Sequence, residues 1–474
     1  MISEQIAALI RQNLGHVPTG GQEKLIDRIA SFLFGPDDRI FLVRGYAGTG
    51  KTTLVASLVK TLAAYRYKTV LLAPTGRAAK VLSSYSGFPA FTIHKKIYRQ
   101  KKVVEGFGEF GLDRNLSKNT LFIVDEASMI SNQSLDLSVF GSGRLLDDLV
   151  GYVYSSPGCK LVLIGDDAQL PPVGFDQSDA LKLEYLERYG MKVEECSLTD
   201  VVRQSVDSGI LSNATHLRKV LLQTRDRFDM PGLRTSGFPD FQEVRGDDLL
   251  EELERSYGTA GLEETMVVCR SNKLANRYNQ GIRNMILKYE EEIRLGDLIM
   301  VVKNNYYWLK DSPEIDFIAN GDILEVVRAK GSKELYDLTF RDLMVRFTDY
   351  RDMEFEAKAM LDTLFADTPS LDKDRMRNFF AAVSTDYQQM KGKKHKADAI
   401  REDPFFNALQ IKFAYAVTCH KAQGGQWKHV YIDQGYITED KVDREYFRWL
   451  YTAITRATEK VFLVNFRPEF FTSR

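Results

Sequence analysis

The sequence predicts an α/β protein with two parallel-sheet cores, a small β-rich, barrel-like insertion and a short hairpin insertion. Three observations support this prediction. Apolar runs typical of strands alternate with helical patterns over the first ~200 residues, which indicates a parallel sheet covered on both faces. A second series of such runs begins at residue 265 and resumes at residue 412. Between these two parts, residues 295–405 carry short β-rich runs separated by turn signals.

The composition is that of a folded globular chain. Its 474 residues are 44% hydrophobic and 27% charged, which is enough for about three domains with ordinary cores and excludes a disordered or fibrous protein. No apolar run approaches the ~18 residues that a membrane span needs. The first residues, MISEQIAALIRQ, show no cleavable signal pattern. We therefore expect a cytoplasmic protein with no membrane partner.

The net charge and the cysteine content indicate which kinds of binding site the chain can have. The net charge is −1, from 64 basic and 65 acidic residues, so any groove for nucleic acid has to be a local feature. The four cysteines, Cys159, Cys196, Cys269 and Cys419, stand far apart without C-x-x-C spacing. This pattern favours reduced core thiols over disulfides or a metal site.

A glycine-rich turn follows the first apolar run, FLVRG at 41–45. The segment GYAGTGKT (45–52) has the spacing G-x-x-x-x-G-K-T and leads into a helical pattern. In such a loop, backbone N–H groups surround a phosphate, Lys51 reaches the β- and γ-phosphates, and the Thr52 hydroxyl ligates Mg²⁺. The predicted ligand is a nucleoside triphosphate, and the first core is RecA-like or a related P-loop core. The predicted nucleotide-binding residues of this loop are Gly45, Ala47, Gly48, Thr49, Gly50, Lys51, Thr52 and Thr53.

Two acidic residues end a later strand, LFIVDEAS at 121–128. Asp125 is placed to hold Mg²⁺, and Glu126 to orient or deprotonate an attacking water. The next such strand runs into LVLIGDDAQLPPVG at 161–174, where the Gln169 amide can meet the γ-phosphate. Hydrolysis is favoured over transfer to a small acceptor, because the sequence shows no distinct lid or acceptor-pocket signature.

The second core is predicted from four further runs: TMVVCRSN (265–272), KFAYAVTCHK (412–421), HVYIDQ (429–434) and KVFLVNF (460–466). The insertion interrupts this core. The predicted divisions are a first core at 1–203, the second core at 204–294 and 406–474, and the β-rich accessory insertion at 295–405.

Eight segments occur in an order that resembles the motifs of superfamily 1 DNA helicases. They are GYAGTGKTT, APTGRAAKVL, TIH, FIVDEASM, GDDAQLPPVG, SLTDVVRQ, AVTCHKAQGGQW and YTAITRATEKV. The resemblance is strongest to the RecD-like subgroup that moves 5′ to 3′, and it spans about residues 20–305 and 410–466. It implies two RecA-like cores, ATP and Mg²⁺ as cofactors, and single-stranded DNA and its junctions with duplex as partners.

The resemblance also assigns residues around the nucleotide. Gln22 resembles an upstream glutamine that reads adenine through its amide. Arg203 and Arg456 resemble two arginines that approach the γ-phosphate across the cleft, where positive charge stabilises the transition state. Gln423 resembles a residue that connects the nucleotide cleft to the strand-binding surface.

Contacts to DNA are implied on the opposite face of the same strands. Hydroxyls, rings and amines at these positions would touch phosphates or bases of a single strand. The residues are Thr75, Thr92, His94, Thr418, His420 and Lys421. The segment 98–115 lies where relatives carry a duplex-splitting hairpin, and Phe107 or Phe110 at its tip could stack on the last base pair.

The implied activity is ATP-dependent 5′-to-3′ movement on single-stranded DNA with duplex unwinding, by a protein active as a monomer. Two alternatives remain open: a translocase that opens no duplex, and a nucleotide-gated binding module with little turnover. Gln426 departs from the acidic residue of many relatives, and the insertion is longer than compact members need. Both departures concern the grip on the strand and leave the ATP site unaffected.

Overall fold

The computed structural model describes residues 2–104, 107–133, 141–201, 207–223, 228–310, 317–348, 353–390 and 392–472. The side chains of residues 100–104, 107–109 and 393–394 lie outside this description. The predicted fold class is confirmed: two parallel sheets, a closed barrel and a two-stranded hairpin.

The first core is a six-stranded sheet in which every strand pair is parallel. Its strands are β1 (Arg39–Gly45), β2 (Lys68–Ala73), β3 (Ala90–Thr92), β6 (Thr120–Val124), β7 (Lys160–Gly165) and β8 (Lys192–Leu198). Their order is β3-β2-β6-β7-β1-β8. Because the strands are parallel, the carboxyl ends of β1, β6 and β7 meet at one edge, where ligands bind in such sheets.

Helices cover both faces of this sheet. They are α1 (Ile2–Leu14), α2 (Gly20–Phe34), α3 (Lys51–Ala64), α4 (Gly76–Ser86), α5 (Ile93–Ile97), α6 (Leu145–Tyr154) and α7 (Leu183–Glu187). Side chains along β1 alternate between two hydrophobic clusters: Phe41 and Val43 pack on one face, Ile40 and Leu42 on the other. This burial on both faces explains why residues 40–43, the centre of β1, are all apolar.

The predicted hairpin insertion consists of β4 (Tyr98–Val104) and β5 (Phe107–Leu112). The two strands are antiparallel, and Val104 pairs with Phe107 across the turn.

The second core is a five-stranded sheet in which every strand pair is parallel. Its strands are β9 (Phe241–Val244), β10 (Thr265–Cys269), β16 (Ala416–Thr418), β17 (Trp427–Asp433) and β18 (Ala457–Val464), in the order β16-β10-β17-β18-β9. Its helices are α8 (Gly209–Leu221), α9 (Leu249–Thr259), α10 (Asn272–Gly281), α14 (Cys419–Ala422) and α15 (Arg444–Ile454), and a π-helical turn, Ile282–Ile286, follows α10.

The insertion is a closed five-stranded barrel with a helical extension. Its strands are β11 (Leu298–Val301), β12 (Ile323–Leu335), β13 (Leu338–Phe347), β14 (Glu354–Met360) and β15 (Leu409–Phe413). Between β14 and β15 lie α11 (Asp362–Phe365), α12 (Lys373–Asp386) and α13 (Lys393–Arg401). Phe379 and Val383 of α12 pack with Leu338 and Phe340 at the end of the β12–β13 hairpin.

The end of the insertion differs from the sequence-based division. The sequence predicts one strand of the second core in the run KFAYAVTCHK and an end of the insertion at residue 405, yet β15 closes the barrel and β16 belongs to the core. The chain crosses between the two at Ala414, whose N–H donates to Leu298 of β11, and Tyr415, whose carbonyl accepts from Val267 of β10. Residues 413–417, on both sides of the crossing, are all apolar and buried, so no polar residue marks the place where one strand ends and the next begins.

All four cysteines are buried and unpaired, as predicted. Within the described ranges, no helix has the length and apolar character to span a bilayer. Nor do those ranges contain a cluster of three or more His, Cys, Asp or Glu side chains suited to a metal ion.

Candidate functional site

The P-loop joins β1 to α3 and depends on its glycines. Gly48 and Gly50 have φ angles of +74° and +77°, which other residues rarely adopt. A Cβ on Gly45 would lie 2.5 Å from Cδ of Lys51. The buried Thr49 hydroxyl donates to the Tyr46 carbonyl at 2.8 Å and closes the turn from inside. The spacing of the motif is therefore a backbone requirement of this loop.

Lys51 begins α3 and folds back over the loop. Its Nζ donates to the carbonyl oxygens of Gly45 at 2.5 Å and Tyr46 at 3.0 Å. The same Nζ lies 4.0 Å from an Asp166 carboxylate oxygen. The ammonium group is thus held among oxygen acceptors at the mouth of the loop, where a phosphate oxygen can take their place.

Asp125 and Glu126 follow β6 at the same edge of the sheet. The Glu126 N–H donates to the Asp125 carboxylate at 2.8 Å, and Glu126 has a φ of +54°. Burial raises the pKa of both carboxyls, and the Lys51 charge opposes this for Asp125. For Glu126, the opposing charge is first that of Arg456, which belongs to the second core.

Gln169 lies in the turn after β7 and is 5% exposed. Its backbone N–H donates to the Asp166 carbonyl at 3.3 Å. Its side-chain Oε1 is buried and has no hydrogen-bond partner among the described residues. Since a buried polar atom without a partner is costly, this amide is suited to a ligand group that enters the cleft.

Of the two candidate arginines, only Arg456 lies within the residues that the structure describes. Arg456 is 3% exposed, and its guanidinium donates to the carbonyls of Thr452 at 3.0 Å and Gly425 at 3.1 Å. These bonds fix it in the second core, facing the acidic pair of the first. Arg203 lies outside the described residues.

Gln22 is fully buried beneath the P-loop. Its Oε1 accepts from the Thr19 N–H in a capping box at the start of α2, and its Nε2 donates to the Thr49 carbonyl at 3.0 Å. Both ends of the amide already make bonds within the protein, so the structure places Gln22 as a support of the loop backbone. Its contact with adenine stays a prediction.

Gln423 of the second core forms a hydrogen bond to the first core. The resemblance to helicases implied a connecting role for this residue. Its Nε2 donates to the Leu170 carbonyl at 2.7 Å, and the Leu170 N–H donates to the Thr452 hydroxyl at 2.8 Å. The segment after β7 is therefore held by two residues of the second core.

Three of the predicted DNA contacts line one cavity of about 440 Å³ between the first core and the barrel: Thr75, Thr92 and His94. The opposite wall carries residues that the sequence did not single out: Lys303, Asn304, Tyr306, Phe317 and Asn320. A neighbouring cavity of about 680 Å³ shares Thr92 and Phe317 with it. We call the two cavities together the strand groove.

The threonines of the strand groove also have structural roles. Thr75 and Thr92 are the N-caps of α4 and α5, and their hydroxyls accept from the N–H groups of Ala78 and Lys95. Lys421 reaches the groove from the second core, since its Nζ donates to Asn320. Thr418 and His420 are not among the described residues that line either cavity.

Burial controls the charge of the ionisable groups here. It lowers the pKa of His94 to about 4, and it also lowers the pKa of His420. Neutral imidazole is therefore favoured for both rings at pH 7, and a neutral ring can donate or accept a hydrogen bond without adding charge. Burial, together with the nearby Lys412 charge, lowers the pKa of Lys421 to about 8.

The hairpin places the two candidate wedge residues differently. Phe107 begins β5 beside the turn. Phe110 pairs with Gln100 farther along the strand, and its ring centroid lies 4.5 Å from that of Tyr306. Tyr306 in turn stacks on Phe317 at 5.1 Å. The suggestion that Phe110 sits at the tip is therefore wrong: aromatic packing holds it against the barrel side of the strand groove.

Comparison with known proteins agrees with this arrangement. The AAA domain family model matches residues 19–225, and the UvrD-like helicase C-terminal domain model matches residues 413–464. The chain is 26% identical to the ATP-dependent DNA helicase dda of Enterobacteria phage T4 over 454 residues, covering 89% of this chain and 93% of that protein. It is 23% identical to the ATP-dependent RecD2 DNA helicase of Deinococcus radiodurans, covering 93% of this chain and 48% of that protein.

A structural comparison concerns the fold alone. A solved structure of two coordinating Pif1 helicases at forked double-stranded DNA superimposes with a TM-score of 0.50 and 16% identity, covering 97% of this chain and 95% of that one. The fold is thus similar over nearly the whole length of both chains.

Proposed function

The chain is similar to superfamily 1 helicases of the RecD-like subgroup, and on that premise we propose that it is an ATP-dependent DNA helicase moving 5′ to 3′ along single-stranded DNA. The observation that carries this proposal is that the second core reaches the nucleotide edge of the first: Gln423 and Thr452 bond to Leu170, and the Arg456 charge acts on the Glu126 carboxyl. Such a site is complete only when the two cores are together. Hydrolysis there is consequently tied to their relative position, as a motor requires.

The residues present fit ATP and Mg²⁺. The N–H groups after Gly48 and Gly50 cradle phosphate, and Lys51 exchanges its carbonyl acceptors for phosphate oxygens. Thr52 and Asp125 offer the hard oxygen donors that Mg²⁺ prefers, and the ion would neutralise charge on the phosphates. Glu126, whose pKa is raised, accepts a proton from the attacking water.

Gln169 and Arg456 complete this site. The free Oε1 of Gln169 can accept a hydrogen bond from the attacking water. Arg456 brings positive charge from the second core to the same region, and Arg203 is proposed to act with it.

On the strand side, we assign the strand groove to single-stranded DNA. Its hydroxyls, neutral rings and amide groups suit contacts to phosphates and bases, and Lys421 adds a positive charge from the second core. Thr418 and His420 are proposed to contact the strand beyond the groove. The working unit is proposed to be a monomer at a junction of single and double strands.

A translocase that opens no duplex remains the second candidate. The position of Phe110 favours it, because this ring packs against Tyr306 and is not free at the hairpin tip. Phe107 is then the remaining candidate to meet the duplex.

The test is to measure ATP hydrolysis with and without single-stranded DNA, and then unwinding of duplexes with a 5′ or a 3′ tail. A helicase of the proposed polarity is stimulated by the strand and opens the 5′-tailed duplex alone. Stimulated hydrolysis without unwinding identifies the translocase. Strand binding with little turnover identifies a nucleotide-gated binding module and contradicts both motor proposals.

A further inference from the structure

Tyr451 of the second core makes two hydrogen bonds into the nucleotide site of the first. It lies on α15 and is 1% exposed. Its hydroxyl accepts from the Ala47 N–H of the P-loop at 2.9 Å and donates to an Asp166 carboxylate oxygen at 2.6 Å. The Tyr451 hydroxyl therefore takes up the N–H group of Ala47. Other N–H groups of the same loop are the ones proposed to bind phosphate.

The neighbouring loop residues also rest on the second core. Tyr46 is 6% exposed and packs in one hydrophobic cluster with Ile210, Ala214 and Leu217 of α8. The guanidinium of Arg218, on the same helix, lies 4.5 Å from the centroid of the Tyr46 ring. These contacts press the loop against the second core and hold the Ala47 N–H within reach of Tyr451.

Asp166 connects this contact to the phosphate-binding lysine. One oxygen of its carboxylate accepts from Tyr451 and lies 4.0 Å from the Lys51 Nζ. Asp166 is 1% exposed, so little solvent separates these groups. A shift of α15 relative to the first core must stretch the bond from Ala47, the bond to Asp166, or both.

We propose that Tyr451 is a positioning residue that couples the position of the second core, and hence strand binding, to the shape of the P-loop. This inference rests on the proposed function, since it needs a strand that moves the cores. The hydroxyl does not touch the reacting atoms in this arrangement. It acts through the Ala47 N–H and through the carboxylate that faces Lys51.

The test replaces Tyr451 with phenylalanine, which keeps the buried ring and removes the hydroxyl. The matched control is Tyr446→Phe on the same helix. Tyr446 is equally buried, and its hydroxyl donates to Gln434 at 2.5 Å, wholly within the second core. Both variants lose one buried hydroxyl, but only Tyr451→Phe loses contact with the P-loop.

Two measurements distinguish coupling from simple support of the fold. The first is the ratio of ATPase rates with and without a single-stranded oligonucleotide. The second is the ratio of oligonucleotide dissociation constants with and without the ATP analogue AMP-PNP. The first ratio reports coupling in the rate of hydrolysis, and the second reports coupling in the free energy of binding. We expect each ratio to move toward 1 by at least about fivefold in Tyr451→Phe and to stay near the wild-type value in Tyr446→Phe.

The outcomes separate this inference from the proposed function. If the wild-type protein shows no stimulation by the strand, the proposed function fails, and this inference with it. If the wild type is stimulated and Tyr451→Phe retains both ratios, the inference alone is overturned. Equal losses in both variants also overturn it, because they indicate a general effect on the second core.

A second variant covers the case in which Tyr451→Phe melts well below the wild type. Asp166→Asn keeps an oxygen that accepts from Tyr451 but removes the charge, which weakens the bond. We expect both ratios to move toward 1 by a smaller factor. Unchanged ratios in a folded Asp166→Asn protein would contradict the inference.

Discussion

Arg456 and Glu126 lie in different cores, yet the charge of the arginine acts directly on the carboxyl of the glutamate. Burial raises the pKa of Glu126, and the Arg456 charge is the largest influence that opposes this rise. The proposed base and the proposed charge stabiliser are thus coupled to each other before any phosphate binds. A change in the distance between the cores alters both together.

Arg456→Ala tests this relationship. We expect strand-stimulated ATP hydrolysis to fall by roughly 10³-fold, the range found for an arginine that stabilises phosphoryl transfer from across a cleft. Arg456 also donates to two carbonyls within the second core, so a thermal melt has to accompany the rate measurement. Arg444→Ala, which removes another arginine bonded to a backbone carbonyl in this core, is the control. Near-normal turnover in Arg456→Ala would contradict a shared active site.

Lys51→Ala tests the phosphate grip. The Lys51 Nζ lies at the mouth of the P-loop, whereas the strand groove lies between α4, α5 and the barrel. ATP turnover is expected to disappear while binding of a labelled oligonucleotide persists. Hydrolysis above a tenth of the wild-type rate would contradict the assignment of Lys51 as the residue that binds the phosphates of ATP.

Glu126→Gln separates catalysis from nucleotide binding. The amide keeps the size of the side chain and loses the base, so ATP should still bind with Mg²⁺ while hydrolysis falls by roughly 10²-fold or more. The nucleotide affinity of the variant is measured by titration with a fluorescent nucleotide analogue. Loss of both nucleotide binding and hydrolysis would show that Glu126 has a structural role in the nucleotide site and is not the base.

Alanine variants of Phe107 and Phe110 test whether the hairpin separates the strands of a duplex. Phe107→Ala should slow unwinding of a 5′-tailed duplex with little change in strand-stimulated ATPase, because a wedge acts on base pairs. Phe110→Ala should do the same by freeing the hairpin from Tyr306, and Tyr306→Ala should reproduce that defect. Equal loss of ATPase and unwinding would argue against a wedge, and preferential opening of 3′-tailed duplexes would overturn the polarity.

Lys421 predicts a pH dependence of strand binding. Its pKa is lowered to about 8, so the free protein loses this positive charge as the pH rises through 8. Oligonucleotide affinity should therefore fall between pH 7 and pH 9 more steeply in the wild type than in Lys421→Met. Added salt should weaken binding at both pH values, since phosphate contacts release counterions. Identical pH profiles for the two proteins would exclude a contact between Lys421 and the strand.

Features that depend on neighbouring residues could be predicted from the sequence. The spacing of Gly45, Gly50 and Lys51 indicates a P-loop, because backbone conformation and close approach within a few residues require it. Apolar runs that end in Asp125, or in the turn before Gln169, indicate parallel strands whose carboxyl ends meet. These patterns suffice for the two cores and for the side of the sheet that holds ATP.

Features that depend on packing between distant segments could not be predicted in this way. The chain crosses from barrel to core within the apolar stretch 413–417, whose residues are all buried, so no polar residue marks the crossing. The sequence does not signal that Phe110 packs against Tyr306, because the two rings come from segments about 200 residues apart. The bond from the Gln22 amide to the Thr49 carbonyl is likewise a long-range contact that the sequence does not signal, and the contact of Gln22 with adenine stays a prediction.

The sequence by itself determined that the chain has a P-loop core, a second α/β core and a β-rich insertion, since local spacing and periodicity encode each of them. Only the tertiary structure decided how the second core meets the first. Tyr451 donates to Asp166 and accepts from Ala47 across hundreds of residues of chain. A hydroxyl in a helix carries no local sign of such partners, because its hydrogen bonds are set by the packing of two domains.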